Sequence, residues 1–338
     1  MNRSENKTML KLIYQLPEQL DRAVALGKEC PLLKKDEVKN VVIAGMGGSA
    51  IGGDVVRAVV NEERALPVTI WRDYRLPSTV GRKTILFLIS YSGNTEETLT
   101  AYEAGRRCGA QIFVLTSGGK IAEMAKSDHF PLLLVPTGMP PRTAIGYLST
   151  PILMLLSRLN LCRDYTPDVG ETRRLLRRGM EVWRRGANAL SRLILNRLPI
   201  VYSTARLLDV VAYRWQCQLN ENAKVLCHSG QLPEQSHNEI MGFGAPEFLV
   251  RKLYPIVLVD RNSHPRTLLR LKEMRRLVGE KWAGMSIVKT SGSSPLARIF
   301  STMVMGDLLS VALARRRGVN PLGIPRIDEL KQVLARKG

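Results

Sequence analysis

Short apolar runs alternate with amphipathic stretches along most of the chain, and this alternation predicts the fold. Val41-Val42-Ile43-Ala44 has the pattern of a buried strand. A glycine-rich turn, Gly45 to Asp54, follows it and leads into a helix through Val55 to Val60. Pro67 to Trp71 and Ile85 to Ile89 repeat the strand pattern, and the second of these feeds a helix that runs to Arg107. A strand from Gln111 to Leu115, a short helix from Ile121 to Ala125 and a strand from Leu132 to Val135 complete the series. Ahead of it, Leu10, Ile13, Leu20, Ala23 and Leu26 give residues 7 to 28 a partial helical spacing, with Pro17 starting or breaking a segment.

An apolar helix ending near Leu159 is followed by the polar stretch Asn160 to Asp168, which reads as a linker. A long basic helix then runs from about Val169 to Leu190. Pro199 to Ser203 restarts the strand–turn–helix pattern, with a helix from Ala205 to Leu219. Val225 to Cys227, Ile256 to Val259 and Ser286 to Val288 supply further strands, and helices fall near 266–278 and 295–316. Buried strands alternating with helices predict the α/β class, as two doubly wound domains of mostly parallel sheet flanked by helices. Residues 1–160 would form the first and 161–338 the second, with ligands at the carboxyl ends of the strands.

The densest candidate chemistry is Ser90-Tyr91-Ser92-Gly93-Asn94-Thr95-Glu96-Glu97-Thr98, placed between a strand and a helix. The hydroxyls of Ser90, Ser92 and Thr95, free backbone N–H groups and the positive end of a helix dipole together suit a phosphate monoester. The plain alternative is an ordinary N-capped βα turn. The earlier glycine turn fits a dinucleotide fingerprint only loosely at Gly45, Gly47 and Ala50. That fingerprint wants an acidic residue at the end of the second strand, whereas Glu62 and Glu63 precede the strand and Asp73 lies too far along. Gly47, Gly48 and Ser49 can instead present N–H groups to a polar ligand on the same sheet edge. Arg142, in a proline-rich loop before a helix, either aims a charge at that edge or sits on the surface. Glu221 and His237 are of the residue types that serve as general base and acid, but nearby Glu239 means that spacing alone does not choose among them.

Composition narrows the function class. The chain of 338 residues carries 50 Lys and Arg against 30 Asp and Glu, a formal charge of +20. That excess invites a nucleic-acid reading, yet the basic residues are spread over predicted helices and aromatics make up only 6%, with no stacking platform. A basic surface also attracts anionic sugar phosphates. Five cysteines without a C-x-x-C pair point to reduced thiols and a cytoplasmic setting. No secretory signal is read at the N-terminus, and no run reaches the ~18 apolar residues of a membrane span.

Six stretches in order carry a resemblance: Gly45-Met-Gly-Gly-Ser49-Ala-Ile-Gly52, Ser90 to Thr98, Pro141-Arg142, Asn220-Glu221-Asn222-Ala223-Lys224, Ser236-His237-Asn238-Glu239 and Ile327-Asp328-Glu329-Leu330-Lys331. Over nearly the whole chain they resemble the bifunctional phosphoglucose/phosphomannose isomerases, which have two sugar isomerase (SIS) domains. The resemblance implies an aldose–ketose isomerase acting on glucose 6-phosphate and fructose 6-phosphate, with mannose 6-phosphate as a further substrate, through a cis-enediol(ate). It implies that Ser90, Ser92 and Thr95 hold the phosphate and that Gly47, Gly48 and Ser49 line the sugar. Glu221 would move the proton between C1 and C2, and Arg142 would stabilise the enediolate oxygen. His237, from the partner of a homodimer, and Lys331 would help open the ring. No nucleotide, metal or other cofactor is expected, nor a membrane or nucleic-acid partner. One position departs from the family: Ile324 stands where a small hydroxyl residue is common, which bears on the mannose substrate. The rival reading is a non-catalytic SIS-domain sensor of sugar phosphates, which would not need Glu221, His237 and Lys331 together.

Overall fold

The computed structural model describes residues 3–33, 37–63 and 66–336. Two helices open the chain, α1 (Arg3–Tyr14) and α2 (Leu16–Glu29), with Pro17 in the first turn of α2. The first sheet holds β1 (Asn40–Gly45), β2 (Val68–Trp71), β3 (Thr84–Ser90), β4 (Gln111–Thr116) and β5 (Leu132–Leu134). Its order is β2-β1-β3-β4-β5 and every pairing is parallel. Between the strands run α3 (Gly47–Val60), α4 (Glu96–Arg107) and α5 (Gly119–Ser127), and α6 (Ile145–Arg158) and α7 (Thr166–Leu193) follow.

The second sheet repeats the design with β6 (Leu198–Ser203), β7 (His228–Gln231), β8 (Leu253–Val259) and β9 (Ser286–Lys289), in the parallel order β7-β6-β8-β9. Its helices are α8 (Asp209–Ala223), α9 (Glu247–Val250), α10 (Pro265–Val278), α11 (Pro295–Arg317) and α12 (Pro325–Ala335). Two doubly wound parallel sheets with covering helices are the predicted fold class.

Side-chain alternation explains the layering. In the fully buried β3, Ile85, Phe87 and Ile89 face one hydrophobic cluster, while Leu86 and Leu88 face another with Ala101 and Tyr102 of α4. The first of these clusters also takes in Val201, Ile256 and Leu258 of the second sheet and the buried faces of α6, α7, α8 and α11, so one core is continuous between the sheets. Helix α11 has the length and apolar composition of a bilayer span, but 94% of its most apolar window is buried in that core.

Three local expectations need correction. The glycine-rich segment from Gly47 onward is helix α3, not a turn. Tertiary packing overrides the low helix propensity of glycine here. A Cβ on Gly52 would lie 2.3 Å from the Leu148 carbonyl oxygen, so only glycine lets α3 and α6 approach this closely. Residues 225–227, despite their apolar pattern, precede the strand, and the polar His228–Gln231 segment pairs with β6 at the sheet edge. The region read as a linker to Asp168 ends sooner, because α7 begins at Thr166 with Pro167 in its first turn.

Candidate active site

The carboxyl ends of β1 and β3 lie side by side, Gly45 opposite Ile89, and the loops that leave them build the site. From β3 the chain enters the serine turn. Ser90 is buried, and its Oγ donates to Thr95 Oγ1 at 2.9 Å while accepting from the Gly93 N–H at 3.1 Å. Gly93 has φ +75°, and a Cβ there would lie 1.8 Å from the Gly118 carbonyl oxygen, so glycine is required. Ser92 is exposed, with its Oγ accepting from the Asn94 N–H at 3.3 Å. Thr95 is the N-cap of α4, yet its side chain does not cap the helix. The Thr98 N–H turns back to the Thr95 carbonyl at 3.1 Å, while the Glu96 and Glu97 N–H groups have no acceptor among the described residues and form a donor set at the positive end of a helix dipole. Of the carboxylates in that turn, Glu96 is engaged at 3.3 Å by the Tyr74 hydroxyl.

From β1 the chain enters α3 directly, with Gly47, Gly48 and Ser49 as its first residues. Ser49 Oγ accepts from the Tyr91 N–H at 3.1 Å, which ties the opening of α3 to the serine turn. Gly48 packs against the backbone of Arg142: a Cβ on it would lie 3.1 Å from the Arg142 nitrogen. Gly47, Gly48, Ser49 and the three hydroxyl residues thus form one surface with the Arg142 loop at its side.

Arg142 lies in a 3-10 turn, Pro141–Thr143, between β5 and α6, and is 5% exposed. Its donors are almost fully assigned. Nε donates to Asn222 Oδ1 at 2.7 Å, and Nη2 donates to the carbonyls of Pro321 at 2.8 Å and Leu322 at 3.0 Å. A guanidinium has five N–H donors, so these bonds leave Nη1 for other work. Nη1 stands 3.4 Å from Glu221 Oε2. Burial pulls the Arg142 pKa below its usual value, and the Glu221 carboxylate opposes that shift. Glu221 occupies the last turn of α8, its side chain 27% exposed, so the carboxylate is open to a ligand while facing a fixed cation.

Lys224 ends α8 in the left-handed conformation, and its ammonium donates to the carbonyls of Glu221 and, at 2.6 Å, Gly323. Burial and the neighbouring Arg142 charge lower the Lys224 pKa. Residues 321–323 therefore face both cations through their carbonyls, and Ile324, the N-cap of α12, follows immediately.

His237 and Lys331 are not joined to this cluster. His237 ends a short 3-10 turn after β7 and is exposed, and Lys331 lies in the middle of α12, also exposed. Neither forms a hydrogen bond or ion pair with Arg142 or Glu221. The first turn of α12 does lie within electrostatic reach, since the Asp328 carboxylate acts on Arg142. Reading the sequence places Asn222 in the Glu221 stretch without a role and does not single out Arg214 or Asp307. The available signal was a lone carboxylate, Asp307, inside the apolar run of α11.

The serine turn is tied through Ser49 to the opening of α3, Gly48 of α3 packs on the Arg142 loop, and Arg142 faces the Glu221 carboxylate of α8. The fold is shared with the C-terminal domain of glucosamine-fructose-6-phosphate aminotransferase from Francisella tularensis, with a TM-score of 0.74 and 16% identity over 94% of this chain and 98% of that one. Residues 184–334 match the model of the bacterial phospho-glucose isomerase C-terminal SIS domain. Fold and site together define a SIS-type protein of the sugar-phosphate class. More narrowly, the chain belongs to the bifunctional phosphoglucose/phosphomannose isomerase family. It is 37% identical to the member from Caldicellulosiruptor bescii over 335 residues, 97% of this chain and 99% of that one. It is 34% identical to the member from Aquifex aeolicus over 298 residues, 88% and 90% of the two chains.

Proposed function

We propose that this protein interconverts glucose 6-phosphate and fructose 6-phosphate, and mannose 6-phosphate with fructose 6-phosphate, through a cis-enediolate. The observation that carries the reading is the 3.4 Å approach of Arg142 Nη1 to Glu221 Oε2, with the Arg142 loop packed on the same α3 opening that holds the serine turn. In this mechanism Ser90, Ser92, Thr95 and the first turn of α4 hold the phosphate, and Gly47, Gly48 and Ser49 line the open-chain sugar. The Glu221 carboxylate takes the proton from C2 of the aldose. The C–H electron pair forms the C1–C2 double bond, and the carbonyl electrons move to O1, where Arg142 meets the developing oxyanion. Return of the proton from Glu221 to C1, with transfer of the O2 proton to O1, gives the ketose. The two aldoses differ only at C2, which is planar in the enediolate, so one intermediate serves both.

Ring opening needs a second acid–base pair. We assign it to Lys331, on the helix whose first turn acts on Arg142, and to His237 of the partner subunit of a homodimer, since His237 does not meet Glu221 within one chain. Exposed apolar side chains support a covered face: Met241 is 84% exposed, Phe248 68% and Leu330 on α12 59%. The assignment extends to the division at residues 160/161 and to a cytoplasmic setting. A non-catalytic sensor of sugar phosphates would have no use for a buried guanidinium facing a carboxylate. The deciding experiment is turnover of purified protein on fructose 6-phosphate and on mannose 6-phosphate, each in EDTA with a coupled readout. Activity on both establishes the proposal, and binding of both sugars without turnover replaces it with the sensor.

A further inference from the structure

We infer that the buried ion pair of Arg214 and Asp307 is a positioning device for Arg142, referencing that guanidinium to the same helix that carries Glu221. The inference rests on the isomerase reading above. Arg214 is 1% exposed and Asp307 4% exposed. Their contact is two-pronged, with Arg214 Nε to Asp307 Oδ1 at 3.1 Å and Nη2 to Oδ2 at 2.8 Å, and Gln218 Nε2 adds a third bond to Oδ1 at 2.7 Å. Arg214 Nη2 also donates to the main-chain carbonyl of Arg142 at 2.7 Å.

A second arm reaches the Arg142 side chain. Asn222, fully buried, accepts from Arg142 Nε through Oδ1 and donates through Nδ2 to Ser310 Oγ at 2.9 Å. The Ser310 acceptor decides which end of the amide faces the guanidinium, because Nδ2 can only donate. Arg214, Gln218, Glu221 and Asn222 fall at i, i+4, i+7 and i+8, one face of α8. Asp307 and Ser310 fall at i and i+3 on α11, and each holds its partner from that side.

Main chain and side chain of Arg142 are thus both fixed to α8. The separation between base and cation is set by one rigid helix, although the two residues are 79 positions apart in sequence. Asp307 has a charge role as well. Two buried guanidiniums stand close enough for Arg214 to lower the pKa of Arg142, and the Asp307 carboxylate pairs the nearer cation. A buried ion pair is an inefficient source of stability, because desolvation consumes most of its attraction. The fixed geometry it imposes on the 141–143 turn is the gain.

The experiment is steady-state kinetics of the full chain on fructose 6-phosphate for Asp307→Asn and Ser310→Ala, each alone and in an Arg142→Lys background. Misplacing a catalytic group by an ångström costs up to about 100-fold, so Asp307→Asn should lower kcat about 10–100-fold with KM held within about threefold. Ser310→Ala, which introduces no charge imbalance and keeps the test open if Asp307→Asn does not fold, should lower kcat about 3–10-fold. In the Arg142→Lys background both effects should shrink below about threefold, since the group being positioned has been removed. Equal losses in both backgrounds, or a raised KM with unchanged kcat, would overturn the positioning role. A wild-type protein that does not turn over fructose 6-phosphate removes the isomerase reading and this role with it. An active wild type with unaffected variants removes the positioning role alone.

Discussion

Arg142→Lys separates the charge at the site from its geometry. Lysine keeps the positive charge but not the planar fork. In the wild type, three acceptors are engaged at 2.7, 2.8 and 3.0 Å by Nε and Nη2: Asn222 Oδ1 and the carbonyls of Pro321 and Leu322. The lysine stem ends one atom short of the Nη2 position, so its ammonium can keep the Asn222 bond but leaves the Pro321 and Leu322 carbonyls without a donor. At about 1–2 kcal/mol for each orphaned acceptor, the loss of stability is on the order of 2–4 kcal/mol. For a chain of this size that lowers Tm by about 5 °C. The catalytic loss is separate. Withdrawing Nη1 from the enediolate oxygen removes one preorganised donor, worth about 10²–10³ in kcat. Calorimetry and coupled turnover of fructose 6-phosphate on the same preparation read the two effects independently. A kcat above a third of wild type would show that charge alone suffices and that the fork is irrelevant to chemistry. An unchanged Tm would show that the three acceptors are not held as described.

Glu221→Gln should leave sugar-phosphate affinity near wild type and cost about 10²–10⁴-fold in kcat; near-normal turnover would remove Glu221 from proton transfer. Ser92→Ala and Thr95→Ala should weaken every 6-phosphorylated sugar by a similar factor, and calorimetric titrations in which only one sugar suffers would refute the phosphate assignment. Ile324→Thr should raise the ratio of mannose 6-phosphate to fructose 6-phosphate turnover, because Ile324 directly follows the carbonyls that hold Arg142 and Lys224; an unchanged ratio places Ile324 outside the C2 pocket. Burial pushes the Cys30 thiol up to about 11 and raises Cys227 as well, so both stay protonated and slow toward a disulfide reagent at pH 8, while the exposed Cys108 reacts first. Peptide mapping that finds Cys30 or Cys227 labelled before Cys108 in the folded protein would contradict that burial.

What could be read of the fold follows from how local its signals are. Ile85 to Ile89 reads as a buried strand because both of its faces are covered, and it is the central strand of its sheet. The polar strand β7 could not be read this way. Its side chains are half-buried or exposed, and its place comes from backbone pairing with Ile200 to Ser203. The start of α3 was missed for a related reason. Glycine propensity argues against a helix, and what makes Gly52 necessary is the Leu148 backbone, 96 positions away.

The same distinction governs the site. The serine turn is contiguous, and the bonds of its Ser90 and Ser92 hydroxyls within the turn join residues two to five positions apart, so its chemistry is visible in a nine-residue window. The Arg142–Glu221 pair has no such window, and the residue types alone left Glu239 as a competitor. The structure separates the two acids: Glu239 is hydrogen-bonded by the Tyr202 hydroxyl, whereas Glu221 faces Arg142. The support beneath the pair was the hardest part to read, yet it left a trace. Between Ile299 and Ala314, Asp307 is the single charged residue among apolar and small side chains. A carboxylate there must find a buried cation, because its desolvation would otherwise cost several kcal/mol. Arg214, flanked by Val210, Val211 and Trp215 in α8, poses the complementary demand. Two opposite charges, each set among buried residues of its helix, predict a contact between α8 and α11. That contact is the one that carries the carbonyl of Arg142.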